Sequence, residues 1–290
     1  MAVGRPRGEF TAGSSSAGPR PQPVLRLHDI RTPDGGLGVT RWSKMASPRL
    51  YDDLAWVWPL LSPPEHYPEE ASELASAFRE AGVGAGGRIL HLGCGGGSLD
   101  THLKAQFRVT GIDVSASMLD HARRTNPDVE YIEGDILTAR LGRTFDGVLL
   151  HDAQAYFTRT DQLRAAYDTA AVHLRPGGVM VSAPEELRHR FRQDRVHDSV
   201  TLGDANMTVT TVEIDHDPDV HDSAFDRTFL FLIRDADGQR VEMDVHRLGL
   251  WNLEEMLVPM REAGFIPEVS EPKLSDMEEG EWVLVTAKRQ

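Results

Sequence analysis

Cysteine is almost absent from this chain, with Cys94 alone among 290 residues. No intrachain disulfide can form and no multi-cysteine metal site can be assembled, which fits a reducing compartment better than a disulfide-stapled secreted scaffold. Positive charge is scarce as well. The 31 Lys and Arg stand against 45 Asp and Glu, a formal charge of -14, and this balance disfavours general attraction to nucleic acid or to an anionic membrane surface. Long apolar runs are missing, so no stretch has the length to span a bilayer. Basic residues near the N-terminus are not followed by an apolar core and a small-residue cleavage site, so no secretory leader is expected. These shortages predict a cytoplasmic protein without a nucleic-acid or membrane partner and without a metal.

Residues 1–44 are rich in Gly, Pro, Ser and Arg, and segments such as Gly13-Ser14-Ser15-Ser16 and Pro19-Arg20-Pro21-Gln22-Pro23 have neither helical nor strand periodicity. They read as a disordered tail. The tail holds seven basic side chains against three acidic ones, so the remainder is more acidic than the whole. Met45 opens Met45-Ala46-Ser47-Pro48-Arg49-Leu50-Tyr51 and reads as a natural start, which N-terminal sequencing of protein from its own host checks.

Residues 45–290 read as one domain. Apolar spacing is helical over Leu54 to Leu61 and again through Tyr67, Ala71, Leu74, Ala75 and Phe78, giving a helical cap over 50–84 that Ser62-Pro63-Pro64 interrupts. From Arg88 a βα alternation begins. Strands are predicted at Arg88 to Leu92, Val109 to Asp113, Val129 to Glu133, Phe145 to His151 and Val179 to Ser182, with helices at Leu99 to Ala105, Ser115 to Thr125 and Gln162 to Leu174. After Pro184 the rhythm changes to three strands, Met207 to Ile214, Phe225 to Arg234 and Arg240 to Leu248, the last two joined by the turn residues Asp235-Ala236-Asp237-Gly238. An antiparallel insertion over about 187–249 follows from this, and a homodimer built through it is left open. A helix from Leu253 to Ala263 and strands at Ile266 to Val269 and Trp282 to Thr286 complete the chain. The predicted fold class is α/β, a doubly wound and mostly parallel seven-stranded sheet with an antiparallel β insertion after the fifth strand.

Three landmarks in this alternation carry chemistry. Ile89-Leu90-His91-Leu92-Gly93-Cys94-Gly95-Gly96-Gly97-Ser98 puts a glycine cluster where a buried strand turns into a helix, which lets a ligand approach the backbone. A nicotinamide fingerprint would need a further glycine at Ser98. Asp113 ends the second strand, where a carboxylate can accept ribose hydroxyls. Glu133-Gly134-Asp135-Ile136 follows the third strand, where an acid can accept from an adenine amino group.

With these residues in place, the sequence resembles the class I S-adenosylmethionine-dependent methyltransferases, whose glycine loop commonly reads Asp-Leu-Gly-Cys-Gly-x-Gly, over roughly Arg88 to Ser182. Leu174-Arg175-Pro176-Gly177-Gly178 is similar to the turn before that family's fifth strand. The resemblance implies a Rossmann-like methyltransferase fold with S-adenosylmethionine as cofactor and S-adenosylhomocysteine as product. It also implies cofactor contacts from Gly93, Cys94, Gly95 and Gly97 to the methionine part, Asp113 and Val114 to the ribose side, Asp135 and Ile136 to the adenine, and Met118 and His151 beside them. His91 departs from the pattern, since the family usually has Asp or Glu there to help hold the cofactor's ammonium group. A neutral imidazole can still accept a hydrogen bond, whereas a protonated one would repel that group.

Methyl transfer needs alignment more than covalent help, and a base only when the nucleophile arrives protonated. Strand ends are where such groups gather. His151 or Tyr156, after the fourth strand, could orient or deprotonate a nucleophile, or could pack over the cofactor and cap the core. Gln154 in the same loop and Glu185 after the fifth strand are candidate substrate contacts, Glu185 being equally readable as a solvated helix start. The N-terminal Tyr51, the insertion and the returning His246-Arg247-Leu248-Gly249-Leu250-Trp251 resemble the layout of sugar-amine N,N-dimethyltransferases and glycine N-methyltransferase relatives. That resemblance implies that Tyr51, with Tyr67 a second candidate, closes over the cofactor and that His246 and Arg247 point toward substrate. His246 joins His151 and Tyr156 as a catalytic candidate.

Two clusters remain. Asp215 to Asp222 has the residue types of a hard-metal site and also the look of a solvated acidic loop. Arg188-His189-Arg190-Phe191-Arg192 with Arg195 could take a phosphate or carboxylate, or pair with acids along a helix. The expected activity is methylation of a small-molecule acceptor, preferentially an amine. O-methylation, a noncatalytic cofactor-binding protein and a nicotinamide oxidoreductase are the alternatives.

Overall fold

A computed structural model describes residues 48–290 apart from 198, 276, 278 and 279. The expected tail and the start at Met45 lie outside the described residues. Pro63 and Pro64 withhold amides that a continuous helix would need, so the N-terminal segment breaks up. It runs as 3-10 turns at Arg49–Tyr51 and Ala55–Val57, the single turn α1 (Trp58–Leu61), and then α2 (Pro68–Glu80), which starts on a proline. Ala71, Leu74, Ala75 and Phe78 share the buried face of α2 at three- and four-residue spacing. Where two cap helices were expected, one full helix and a set of turns are found.

The alternation that follows is β1 (Arg88–Leu92), α3 (Asp100–Leu103), β2 (Arg108–Asp113), α4 (Ala116–Thr125), β3 (Glu130–Glu133), β4 (Phe145–Leu150), α5 (Thr160–His173) and β5 (Leu174–Ser182). The Ser115 hydroxyl accepts from the Met118 amide at 3.0 Å and starts α4. Next come β6 (Arg195–Val196), β7 (Val200–Gly203), β8 (Thr208–His216), β9 (Ala224–Asp235), β10 (Gly238–Gly249), α6 (Leu253–Glu262), β11 (Phe265–Ser270) and β12 (Leu284–Arg289). The main sheet has seven strands in the order β11-β12-β5-β4-β1-β2-β3, and every pairing is parallel except those of β12 with β11 and β5. The expected α/β class is the one observed. β6 and β7 were not anticipated, because two- and four-residue strands are too short to show a period.

Alternation along β1 sends Leu90 and Leu92 to a cluster with Leu163, Tyr167, Met256 and Met260, while Ile89 faces Leu74, Phe78 and Leu103 on the other side. Both faces are therefore helix-covered. Tyr167, on α5, is fully buried and its hydroxyl has no hydrogen-bond partner among the described residues. A buried hydroxyl left unpaired costs on the order of 1 kcal/mol or more, so Tyr167→Phe is expected to raise the urea midpoint. A lowered midpoint would show that the hydroxyl is satisfied in solution.

The second sheet, β10-β9-β8-β6 with β7 also on β8, is antiparallel. One face carries Val209, Phe231 and Ile233, packed against Leu50, Leu54 and Val57 of the N-terminal turns. No helix among the described residues is long and apolar enough to cross a membrane.

Candidate active site

At the carboxyl end of β1 the chain turns through Gly93, Gly95 and Gly97 at φ +74°, +53° and +75°, values that side chains rarely adopt. The Gly93 and Cys94 amides donate to the Ile112 carbonyl at 2.8 and 3.0 Å. The Asp113 carboxylate, at the end of β2, accepts from the Gly95 amide and from the Ser115 amide, each at 2.9 Å. Close approach explains the glycines further. A Cβ on Gly93 would lie 2.1 Å from that of Ala153, and one on Gly96 would lie 2.5 Å from the Trp58 indole. Met118 and Ile136 border the same turn, Val114 stands exposed beside it, and the exposed Asp135 accepts from the Leu137 amide at 2.8 Å. The Cys94 thiol packs among Leu119, Ala122 and Tyr131, where burial pushes its pKa up, and donates to the Gly95 carbonyl at 3.9 Å.

His151 does not fit the role of a free base. Its Nδ1 lies 2.8 Å from Asp152 Oδ1 and its Nε2 bonds to the Glu70 carboxylate of α2. Burial works to strip the ring of its proton, but the Asp152 and Glu70 carboxylates outweigh burial and hold the pKa well above the usual histidine range. An imidazolium donating from both nitrogens has no lone pair left for a substrate proton.

Tyr156 and His246 are brought together with Tyr51. The Tyr156 hydroxyl lies 2.8 Å from that of Tyr51, to which it donates, and 2.7 Å from His246 Nδ1. His246 Nε2 lies 2.7 Å from Asp244 Oδ2, which also accepts from the Leu50 amide at 2.8 Å. Burial, reinforced by nearby carboxylates including Glu185, pushes both tyrosine hydroxyls well above their ordinary pKa. They stay neutral, and each can accept from one neighbour while donating to the other. Tyr67 sits apart from them, its hydroxyl 2.5 Å from Ser62 Oγ at the start of α2.

Strand geometry separates His246 from Arg247. Neighbours on β10 face opposite sides, so Arg247 turns away and pairs with Asp226 at 3.0 Å and with Asp222 at 2.5 Å. The expectation that both look toward substrate fails for Arg247. Gln154 is also spent internally: it is buried, accepts from Ser182 Oγ at 2.9 Å and reaches the Leu150 carbonyl, bracing β4 against β5. Glu185 lies at a partly open edge with one oxygen 2.6 Å from Arg227, a buried guanidinium that also pairs with Asp215. His197 pairs with Asp215 and His216 with Asp194, so the acidic stretch starting at Asp215 is engaged at its first residues. The arginine cluster lies on no helix, and its side chains reach backbone carbonyls instead, Arg188 that of Leu250 at 2.6 Å and Arg190 those of Gly280 and Glu281.

The chain matches the methyltransferase domain family over residues 89–178. It is also 30% identical over 207 residues to the dTDP-3-amino-3,4,6-trideoxy-alpha-D-glucopyranose N,N-dimethyltransferase of Streptomyces venezuelae, covering 71% of this chain and 86% of the relative. The chain belongs to the class I S-adenosylmethionine-dependent methyltransferases. Among solved structures, the methyltransferase resembles the S-adenosylmethionine-bound amino pentose methyltransferase of Micromonospora echinaspora, with TM-score 0.67 and 29% identity, over 77% of this chain and 92% of that one. It resembles the sugar N-methyltransferase of Streptoalloteichus as well, with TM-score 0.72 and 26% identity, over 88% of this chain and 98% of that one. The methyltransferase is an enzyme that takes S-adenosylmethionine as cofactor and methylates a small molecule.

The cradle fits that cofactor. Its floor is bare backbone, a carboxylate stands at its edge, and above Gly96 the buried Trp58 Nε1 has no hydrogen-bond partner among the described residues. An indole N–H only donates, so it suits an acceptor such as the cofactor's carboxylate. Sequence reasoning missed Trp58, although it lies seven residues after Tyr51, a helical repeat that could have flagged it. It also missed Asp244, Glu70 and Arg227, which no local pattern marks.

Proposed function

We propose that the methyltransferase transfers methyl groups to the amine of a small amino sugar carried on a nucleoside diphosphate, twice in succession, through the domain spanning residues 45–290. The relatives' activities support this acceptor class, and the observation that carries it is the chain Tyr51, Tyr156, His246 and Asp244, which starts at Tyr51, packed on Trp58 at the cradle, and ends in a carboxylate. In this reading Trp58, Asp113 and Ile136 hold the carboxylate, ribose and adenine of the cofactor. When bound, the cofactor supplies a sulfonium methyl, so that an N–C bond forms as the C–S bond breaks.

The residues around it deal with charge and protons. Glu185, Asp152 and Asp113 all act on Tyr51, and such an acidic surround favours a cationic amine at the reacting end of the acceptor. An ammonium cannot attack, so a proton must leave first. With both tyrosine hydroxyls turned toward His246, Tyr51 takes that proton, passes its own to Tyr156, and Tyr156 delivers one to His246 Nδ1, where Asp244 stabilises the resulting charge. A thymidine-diphosphate-linked 3-amino sugar incubated with S-adenosylmethionine is expected to gain two methyl groups on nitrogen by mass spectrometry. Methylation at a hydroxyl, or cofactor-product binding with no turnover on any amine, would overturn the proposal.

A further inference from the structure

The most buried carboxylate near the glycine turn has no ion pair with an arginine or lysine among the described residues. Asp100, on α3, is fully buried, and among the described residues its oxygens meet His91 Nδ1 at 2.7 Å and the Tyr131 hydroxyl at 3.0 Å. Burial pushes the Tyr131 hydroxyl well above its ordinary pKa, so it keeps its hydrogen for Asp100. A carboxylate withdrawn from water this way needs positive charge or donated hydrogen bonds in return. Among the described residues, His91 is the one basic side chain in contact with it. The imidazole is itself 3% exposed, and the hydrogen bond it makes among the described residues is through Nδ1.

Asp100 is an acceptor, so the contact places a hydrogen on Nδ1 of His91. When Nδ1–H donates to Asp100, Nε2 is left with its lone pair, on the far side of the ring from Asp100 and two residues before Gly93. A buried acceptor backed by net negative charge calls for a cationic donor, and the cofactor's amino-acid end carries an ammonium. We propose that Asp100 is a positioning residue which, acting through His91, gives the cradle a charge-backed acceptor for that ammonium, in place of a carboxylate at position 91. The proposal rests on the cofactor class given by the comparisons.

Calorimetric titration of the full chain with S-adenosylhomocysteine, and in parallel with its analogue lacking the α-amino group, tests this without turnover. Asp100→Asn is expected to weaken S-adenosylhomocysteine binding about tenfold or more, as expected for a lost charged hydrogen bond, and to leave the deaminated analogue unchanged. The exchange His91→Asp with Asp100→Asn moves the carboxylate to position 91 and is expected to restore affinity. Should Asp100→Asn not fold, His91→Gln, which keeps an acceptor without the linked charge, is expected to show the same selective loss. Asp100 also reaches the glycine turn by a structural route, because Asn126 bonds both the Tyr131 hydroxyl and the Gly97 carbonyl. Equal losses for both ligands would assign Asp100 to that route and overturn the proposal, as would an unchanged affinity or a double variant no better than Asp100→Asn. Absence of binding by the unaltered chain would instead overturn the cofactor assignment.

Discussion

Replacing Tyr156 by phenylalanine is expected to lower kcat on an amine acceptor by about two to three orders of magnitude, the usual scale of general base catalysis, with binding of S-adenosylhomocysteine unchanged. The substitution keeps the ring, which packs 5.7 Å from Tyr51 and 5.8 Å from His246 between centroids, and deletes only the oxygen that joins them. The His246 and Asp244 pair is then cut off from Tyr51. Because solution hydroxide can replace the lost route, the deficit is expected to shrink as pH rises toward the pKa of the acceptor amine. His246→Gln is expected to follow the same pH pattern. A rate loss constant across pH would place Tyr156 in substrate positioning, and an unchanged kcat would remove the relay from the mechanism.

How much of this was legible in the sequence depends on the range of the interaction. β1 to β5 and the glycine turn could be read because each is encoded within a dozen residues, by apolar runs, a strand end and glycines at special φ. The relay could not, since Tyr51 and Tyr156 are 105 positions apart, and Tyr156 and His246 are 90 apart. His151 was legible as a titratable group after β4, but its charge state depends on Glu70, 81 residues earlier. His91 was recognised as a departure from the family pattern, while its partner Asp100 has no signature of its own, one acid among many in an acidic chain. Arg247 is the opposite case. The period of two along β10 already set it against His246, and that local rule decides between them more sharply than the family layout does.

The largest stability effect is expected at Arg227. Its guanidinium, 5% exposed, lies 2.7 Å from Asp215, 2.6 Å from Glu185 and 3.9 Å from Glu186, so a single positive charge on the second sheet faces three carboxylates. Arg227→Met keeps bulk but leaves Asp215 buried with only His197 beside it, and removal of one partner from a buried ion pair costs roughly 3–5 kcal/mol. Burial works to raise the Asp215 pKa, but His197 and Arg227 together hold it below the usual carboxylate value. A depressed carboxylate stabilises the fold above its unfolded pKa, near 4, and that contribution is lost as pH falls through the folded value. The gap between the unaltered chain and Arg227→Met in urea midpoint is therefore expected to be full near neutral pH and to narrow as the solution is acidified below about 4. Arg227→Lys, which keeps the charge without the two-pronged geometry, is expected to fall between them. Arg227 pairs in register with His246, so loosening β9 there also loosens the strand that holds the relay. A gap that persists unchanged in acid would mean that Arg227 acts through packing rather than through charge.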